Sequence, residues 1–399
     1  MRGWFALIFA LLIWPVSTDA RAEPFFQSVA IFEPEAKHNH SSCVVELANG
    51  DLLAAWYSGS GERSADDVVI QGAWLPAGRV LWGPRFLLAD TPGYPDCNPA
   101  LFAAPNQTIW LFWPTILDHH WESALLKFAA TRDDGRHFGP LKWEREGVLH
   151  VTPVGFDREM ARAIESLSEP TRALTKRWLD TASARSKDPL YQRLGWMPRV
   201  HPTVLPSGRW LLPLYSDTFS ASIVAISDDR GASWSASAPI IGWGNIQPSL
   251  VRKENGTIVA FMRDNGPFRK IRVSSSQDDG KTWGLVESSA LPNPGSGVEA
   301  IRLKNGRWAI VYNDTSKGRH SLALSISDDE GATWKWTRHV ERQAEGQGQY
   351  HYPSMIQTRD GRIHVTYTHR GASQGSTIEH AVGNEEWVVA GDGASPSGG

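Results

Sequence analysis

Short apolar runs alternate with turn-forming residues along most of the chain, which is the pattern of short antiparallel strands joined by hairpins. Five of the turns carry glycine after a small polar residue, at Asn49-Gly50, Ser207-Gly208, Asn255-Gly256, Asn305-Gly306 and Asp360-Gly361. A sixth turn lies near Asn106. Glycine accepts the positive φ of tight hairpin turns, so each site is expected to join two strands. The pattern therefore predicts six units, which begin near His40, Asn98, His201, Gln247, Glu299 and Tyr352.

A second motif repeats about every 50 residues in the later half of the chain. The pattern S-x-D-x-G-x-[ST]-W occurs at 227–234, 276–283 and 327–334, and a degenerate copy at 131–138 ends in Phe. In each copy the Asp can accept hydrogen bonds from turn amides, the Gly supplies a positive φ and the aromatic packs on a neighbouring sheet. These turns are expected on the face opposite the pocket, in a structural role. Radial repetition of four-stranded units predicts an all-β, six-bladed β-propeller, closed by segment 25–32 pairing with the last blade.

One segment departs from the strand pattern. Residues 156–196 show helical spacing of apolar positions without β-branched runs, which predicts a short helical insertion, about 155–197, between blades 2 and 3. This connection returns to an inner strand on the face of the central pocket. The insertion is therefore either a surface decoration or a wall that restricts the pocket to particular ligands.

The first 22 residues predict a secretory signal peptide, with Arg2 before an apolar run and small residues around Arg21. The run is shorter than the about 20 residues of a membrane span. Residues 23–399 are then expected to form one propeller domain without a membrane span, exported to the periplasm or the extracellular space.

Composition adds few further restrictions. A net charge of −3 gives no electrostatic reason to expect nucleic acid as a partner. Cys43 and Cys97 are expected on neighbouring inner strands but out of register, which favours two buried thiols over a disulfide. Nothing in the sequence indicates the oligomeric state.

Inner strands of a propeller converge on its axis, so their first residues should surround a common cavity. All six predicted first residues are polar, and a second tier of polar and aromatic residues ends the next strands. Convergent polar and aromatic groups favour a carbohydrate ligand. Adjacent histidines at Asp118-His119-His120 lack spaced partners, so neither a metal nor a cofactor is predicted. The second tier is Tyr57, Trp113, Tyr215, Arg263, Asn313, His369 and Arg370.

The Asp-containing turns and the strand pattern together resemble the sialidase superfamily over nearly the whole chain after the signal, except the helical insertion. The resemblance implies a tyrosine nucleophile activated by glutamate, an aspartate acid/base and three arginines that bind the substrate carboxylate. Tyr352, in Tyr-Pro-Ser-Met, matches the nucleophile, and Arg263 and Arg319 match two of the arginines. Asp66 or Asp67 matches the acid/base.

Two positions differ from the superfamily pattern. His40 stands where the first arginine is expected, and Gln247 stands where the glutamate is expected. A glutamine cannot take the tyrosine proton, and a neutral histidine cannot replace an arginine that binds a carboxylate through two hydrogen bonds. Compensation by Glu299 or a histidine is a hypothesis.

Three functions therefore stay open. The first is a sialidase-like glycoside hydrolase that acts on an anionic sugar, the second a polysaccharide lyase that acts on uronates, and the third a glycan-binding propeller without activity. The catalytic candidates are Tyr352, Asp66, Asp67, Glu299 and Gln247. The substrate-binding candidates are His40, Arg63, Asn98, Trp113, His201, Arg263, Asn313, Arg319, His369 and Arg370.

Overall fold

The structure is a computed structural model that describes residues 22–135, 138–371 and 375–393. The predicted signal peptide lies outside this range except for its last residue. No helix within the described ranges is long and apolar enough to cross a membrane.

Six antiparallel sheets arranged as blades account for the strands of the described chain, as predicted. Blade 1 contains β2 (His38–Glu46), β3 (Leu52–Gly59), β4 (Val69–Leu75) and β5 (Phe86–Ala89). Blade 2 contains β6 (Ala100–Ala104), β7 (Thr108–Ile116), β8 (Ala124–Arg132) and β9 (Arg145–Val148). Blade 3 contains β10 (Met197–Pro198), β11 (Thr203–Val204), β12 (Trp210–Ser216), β13 (Ala221–Ser227) and β14 (Ser235–Ala236).

The remaining blades have four strands each. Blade 4 contains β15 (Asn245–Arg252), β16 (Ile258–Asp264), β17 (Lys270–Ser276) and β18 (Glu287–Pro292). Blade 5 contains β19 (Glu299–Arg302), β20 (Trp308–Tyr312), β21 (Ser321–Ser327) and β22 (Trp336–Arg342). Blade 6 contains β23 (Gly348–Gln357), β24 (Ile363–Gly371), β25 (Ser376–Gly383) and β1 (Phe26–Ala30).

The first strand closes the ring, as the sequence predicted. β1 pairs with β25 over five residues, from Phe26 opposite Gly383 to Ala30 opposite Glu379. Phe26 also stacks on Trp387 of the last helix, with ring centroids 4.2 Å apart. The two ends of the described chain therefore share one sheet, which leaves β25 without a free edge.

The Asp-containing turns join the last two strands of blades 3, 4 and 5. In blade 3, Asp229 accepts hydrogen bonds from the Ser227 hydroxyl at 2.9 Å and the Ser233 amide at 2.8 Å. Gly231 has φ 83°, and a Cβ there would lie 2.6 Å from the Trp110 ring of blade 2. The turn therefore needs glycine both for its backbone conformation and for packing on the preceding blade.

Helices interrupt the strands between blades 2 and 3, where the insertion was predicted. They are α1 (Phe156–Ser166), α2 (Glu169–Arg185) and α3 (Pro189–Arg193), and a 3-10 helix (Trp121–Ser123) and α4 (Glu385–Ala390) lie elsewhere. Phe156 packs on Phe219 with ring centroids 4.6 Å apart, next to Met160 and Leu179. The insertion thus shares an apolar core with blades 2 and 3.

Both cysteine side chains are buried free thiols. The Sγ of Cys43 accepts a hydrogen bond from the Leu101 amide at 3.3 Å. Burial raises the pKa of the Cys97 thiol well above its usual value.

Candidate functional site

A β-bulge recurs at the start of the inner strand in blades 1, 4 and 6. At each bulge, two residues of the inner strand stand opposite one residue of the next strand. The residue that opens the bulge has a positive φ although it is not glycine, with 58° at Ser41, 56° at Gln247 and 48° at Tyr352. Because a bulge redirects its side chain, these residues leave the plane of the sheet at the axis.

Each bulge residue stands nine positions before the left-handed residue of the following hairpin, as from Ser41 to Gly50. The same interval separates Asn98 from Gln107 in blade 2, and both have positive φ. Counting nine residues back from the hairpin glycine gives Arg199 before Gly208 in blade 3 and Gly297 before Gly306 in blade 5. We call these six positions the axial ring: Ser41, Asn98, Arg199, Gln247, Gly297 and Tyr352.

Contacts connect the members of the axial ring. The side chain of Gln247 donates to the Tyr352 hydroxyl at 3.2 Å, and Asn98 donates to the Tyr215 hydroxyl at 3.1 Å. A Cβ on Gly297 would lie 3.1 Å from Oε1 of Gln247, 3.2 Å from Cδ1 of Tyr352 and 3.5 Å from Nε of Arg199. A larger residue than Gly297 would therefore crowd Gln247 and Tyr352 and also contact Arg199.

The prediction placed Asn98, Gln247 and Tyr352 at ring positions, but it misplaced the other three. His40 comes one residue before its ring position, and His201 and Glu299 come two residues after theirs. The inner strand of blade 3 begins at Met197 and is interrupted before Thr203, so the first prominent polar residue is not the first at the axis. The interval from the hairpin is the sequence signal that identifies Arg199.

His201, which is partly buried, and Glu299, which is buried, form a pair two residues after their ring positions. Nδ1 of His201 lies 2.6 Å from Oε1 of Glu299, and Nε2 lies 2.7 Å from the Val44 carbonyl. Burial favours neutral His201, but Cys43 and Glu299 hold the pKa of His201 well above its usual value. Burial also opposes the charge of Glu299, yet His201 and the Met355 amide lower the pKa of Glu299. These residues link blades 1, 3, 5 and 6, which is a structural arrangement.

Three guanidinium groups surround Tyr352. Nη1 of Arg263 donates to the Tyr352 hydroxyl at 2.9 Å. The Cζ atoms of Arg199, Arg319 and Arg263 lie 4.8, 5.6 and 6.0 Å from the Tyr352 ring centroid. Arg199 is 1% exposed and donates to the carbonyl of Pro353 at 2.9 Å, whereas Arg263 and Arg319 are partly exposed. Positive charge therefore surrounds Tyr352, and two of the three guanidinium groups are in partial contact with solvent.

Two histidines with lowered pKa values, His40 and His351, belong to the same cluster as Tyr352. The ring of His40 stacks on Tyr352 with centroids 4.5 Å apart, and His351 lies 5.2 Å from His40. Burial, with the nearby arginines, holds the pKa values of His40 and His351 well below the usual range. Nη1 of Arg319 donates to Nδ1 of His351 at 2.6 Å, so His351 stays neutral as an acceptor.

A second tyrosine at the site does have a carboxylate partner. The Tyr57 hydroxyl donates to Oε1 of Glu62 at 2.6 Å and lies 3.3 Å from Nε2 of His38. Burial and the charge of Glu62 raise the pKa of Tyr57 well above its usual value. Among the described residues, by contrast, no carboxylate hydrogen-bonds to Tyr352.

Asp217 is a carboxylate at this site that the sequence analysis did not single out. It follows β12 and is partly buried in the loop to β13. Burial raises the pKa of Asp217 to about 6, although Arg263 opposes the shift. A carboxyl group that is half protonated near pH 6 can donate a proton under mild conditions.

A family model described as BNR repeat-like domain matches residues 50–159 and 174–365. The chain belongs to the BNR repeat-like family. The unmatched internal stretch, 160–173, lies in the helical insertion, which the sequence analysis also set apart from the family resemblance.

Curated relatives of this BNR repeat-like protein include an anhydrosialidase from Macrobdella decora, 23% identical over 181 residues. A sialidase from Bacteroides fragilis is 30% identical over 121 residues. The matches cover 40% and 28% of this chain, and 23% and 22% of those relatives. The aligned region thus spans less than a quarter of either relative.

Solved structures with the same fold include a protein of unknown function from Dyadobacter fermentans, at 17% identity and a TM-score of 0.66. That match covers 90% of this chain and 99% of the other. The intramolecular trans-sialidase from Ruminococcus gnavus gives a TM-score of 0.65 at 12% identity, covering 88% and 95%. The predicted membership of the sialidase and BNR-repeat superfamily is confirmed.

Both aspartates of the predicted acidic loop in this family member are exposed. Asp67 accepts hydrogen bonds from the backbone amide of Ser60 at 3.0 Å and from its hydroxyl at 2.7 Å, so it orders its own loop. Asp66 is exposed and pairs with His119 at 2.7 Å. Arg63 contacts Glu62 at 3.4 Å and lies over the Trp121 ring.

Four further predicted substrate-binding residues have other surroundings. Asn313 is fully buried and donates to the carbonyls of Ser321 and Tyr350. Trp113 is 2% exposed beneath Lys127. Asn313 therefore connects the end of β20 to β21 and β23, and Trp113 packs in the hydrophobic core. The remaining two predicted substrate-binding residues are His369 and Arg370. His369 lies 3.5 Å from Glu379, and Arg370 is exposed near His38 and His351.

No group of three or more potential metal ligands occurs within the part of the chain that the structure describes. Asp118 and His120 are exposed, and His119 is engaged by Asp66.

Proposed function

We propose that this protein is an enzyme that cleaves the glycosidic bond of a carboxylate-bearing sugar, with Tyr352 as the reactive residue. The hydrogen bond from Arg263 to the Tyr352 hydroxyl carries the proposal. A guanidinium group in this position stabilises negative charge on the phenolic oxygen, and it also attracts a substrate carboxylate. Arg319, on the same ring, supplies a second cation for that carboxylate.

Unsatisfied polar atoms in the axial ring support a polar ligand. Oδ1 of Asn98 and Oε1 of Gln247 are buried and have no hydrogen-bond partner within the described protein. Buried acceptors of this kind are costly unless a ligand or water pairs with them. Sugar hydroxyl groups are suitable donors.

Hydrolysis is the first candidate reaction, because both curated relatives carry sialidase names. In this reaction the Tyr352 phenolate, having lost its proton to solvent, attacks the anomeric carbon while Asp217 gives a proton to the leaving oxygen. Water then gives its proton to the Asp217 carboxylate, attacks the same carbon and releases the phenolate. Asp217 serves as acid and then as base, as in retaining glycosidases.

Elimination from a uronate is the second candidate, favoured because Gln247 and Arg263, rather than a carboxylate, contact the Tyr352 hydroxyl. Here the phenolate takes the proton α to the substrate carboxylate, and Arg263 and Arg319 stabilise the enolate-like charge. The electron pair forms the carbon–carbon double bond, and the leaving oxygen receives a proton from Asp217.

A panel of sialylated and uronate-containing oligosaccharides, analysed by mass spectrometry after incubation with the protein, tests the proposal. Hydrolysis gives products whose summed mass exceeds that of the substrate by one water. Elimination adds no water and creates an ultraviolet-absorbing unsaturated sugar. Binding without product across the panel would contradict the proposal and favour a glycan-binding propeller.

Export of the protein, to the periplasm or outside the cell, belongs to the same proposal. Glycans that carry these acids occur on surfaces and in matrices, where an exported enzyme meets them. Cell fractionation of the native host tests this placement, and recovery of the protein with its first 22 residues in the cytoplasm would contradict it.

A further inference from the structure

The helical insertion forms one wall of a cavity beside the axial site. The cavity has a volume of about 590 Å³, within the range of about 300–1,000 Å³ typical of small-molecule sites. Helix α2 supplies Leu174, Arg177, Trp178 and Arg185, and the opposite wall comes from Asp217 and the loop at Asn265.

One guanidinium group connects this cavity with the reactive tyrosine. Nη1 of Arg263 donates to the Tyr352 hydroxyl at 2.9 Å, and Nη2 donates to Oδ1 of Asn265 at 3.3 Å. Asn265 lines the cavity, as does the acid Asp217. A ligand that extends from Tyr352 past Asp217 therefore enters this cavity.

The lining suits a sugar ring. Trp178 offers an aromatic surface, and Leu174, 71% exposed, adds apolar area beside it. Thr218 also lines the cavity and is 3% exposed, and its buried hydroxyl has no hydrogen-bond partner among the described residues. Arg185 is held in place by Glu122 at 3.0 Å. An apolar face with fixed polar groups around it matches the two faces and the hydroxyl rim of a pyranose.

We infer that this cavity binds the saccharide unit on the leaving-group side of the scissile bond, so that the helical insertion determines which oligosaccharides are accepted. The inference rests on the proposed function for the position of the scissile bond. It makes Trp178 a specificity-determining residue and gives the insertion a role beyond packing on blades 2 and 3.

Calorimetric binding to two matched pairs of probes tests this inference without requiring turnover. The pairs are sialyllactose with N-acetylneuraminic acid, and cellobiuronic acid with glucuronic acid. With wild-type protein, the longer member of at least one pair should bind about tenfold more tightly, which corresponds to about 1.4 kcal/mol. Trp178→Ala should remove this difference and leave the affinity for the monosaccharide unchanged.

Two controls separate a binding effect from a folding effect. Lys176→Ala changes an exposed residue of the same helix, paired with Asp180 at 2.8 Å and outside the cavity lining, and should keep the wild-type ratio. Trp178→Tyr should restore most of the affinity difference between the longer and the shorter probe of a pair. Equal affinities within both pairs, or a ratio that Trp178→Ala leaves unchanged, would overturn the inference. A failure of the proposed function would look different: the oligosaccharides would still bind, but no product would form.

Discussion

At the residue scale, four non-glycine residues with positive φ lie in the axial ring: Ser41, Asn98, Gln247 and Tyr352. A left-handed conformation costs about 1–2 kcal/mol for a residue with a Cβ, and such strain tends to collect at functional sites. Here the strained conformations turn polar side chains toward the axis. The sequence shows the polar residues, but it does not show which of them a bulge turns inward.

Asp217 provides the sharpest test at this scale. Because its folded pKa, about 6, lies above the unfolded value of 3.8, wild-type stability falls as pH rises between these values. Asp217→Asn removes the charge, so at neutral pH it should raise the Tm and increase the free energy of unfolding by at most about 3 kcal/mol. Near pH 4 the substitution should change both quantities little. Thermal unfolding at both pH values measures this effect.

The same substitution should reduce kcat/KM by about 100-fold or more, because the proton donor is lost. Wild-type kcat/KM should decline as pH rises through about 6, since the acid must be protonated. Asp67→Asn is the matched control: Asp67 only orders its loop, so this variant should lower the Tm and keep kcat/KM within about threefold. The acid role would be ruled out if Asp67→Asn abolished activity and Asp217→Asn did not.

At the element scale, the hairpins and Asp-containing turns could be predicted from the sequence because their chemistry is local. Each depends on a glycine of positive φ and on side-chain bonds within a few residues. The helical insertion could be predicted for the same reason. Asp217 could not, because its role depends on contacts across blades, and Arg199 is marked in the sequence only by its interval from the hairpin. The interrupted inner strand of blade 3 also hides Arg199, since no regular strand pattern surrounds it.

The Asp-containing turns should affect stability but not activity. Asp278 accepts hydrogen bonds from the Thr282 amide at 2.9 Å and its hydroxyl at 2.6 Å, in a turn away from the site. Asp278→Ala should therefore lower the Tm and leave kcat/KM within about twofold of wild type. A large loss of activity with an unchanged Tm would place this turn in the active site instead.

The His201–Glu299 pair should be a stabilising connection between blades. Glu299→Gln keeps the shape and an acceptor for the Met355 amide but removes the charge, and it should cost about 3 kcal/mol. The lowered pKa of Glu299 makes this stabilisation fade as pH falls below its ordinary value of 4.5. Because the pKa of His201 is raised, its part of this stabilisation is fully present below pH 6.5. It is lost as the pH rises through the pKa of His201 in the folded protein. Urea unfolding at several pH values should show the largest difference in unfolding free energy between wild type and Glu299→Gln at pH 4.5 to 6.5.

At the scale of the whole molecule, the ring depends on its first strand. Removing residues 22–30 deletes β1 and exposes the edge of β25. This variant should aggregate or lose cooperative unfolding, whereas a chain that begins at residue 22 should fold. Light scattering and thermal unfolding measure both properties, and cooperative unfolding at the wild-type Tm without β1 would contradict the closure.

The ring also explains why this fold does not by itself define the reaction. Six blades bring one residue each to the axis, so substitution at single positions changes the chemistry while the scaffold persists. Here Gln247 replaces the glutamate that the sialidase resemblance implies, and Ser41 occupies the ring position of blade 1. Tyr352 with its surrounding guanidinium groups remains, which supports a reaction at a carboxylate-bearing sugar.

The central claim is tested most directly by Tyr352→Phe, assayed on whichever oligosaccharide of the panel the wild type converts. The account predicts that kcat/KM falls by about 1,000-fold or more. The Tm and the dissociation constant for the acidic sugar should stay close to wild type, because the ring and Arg263 remain. A Tyr352→Phe enzyme with wild-type kcat/KM would contradict the account.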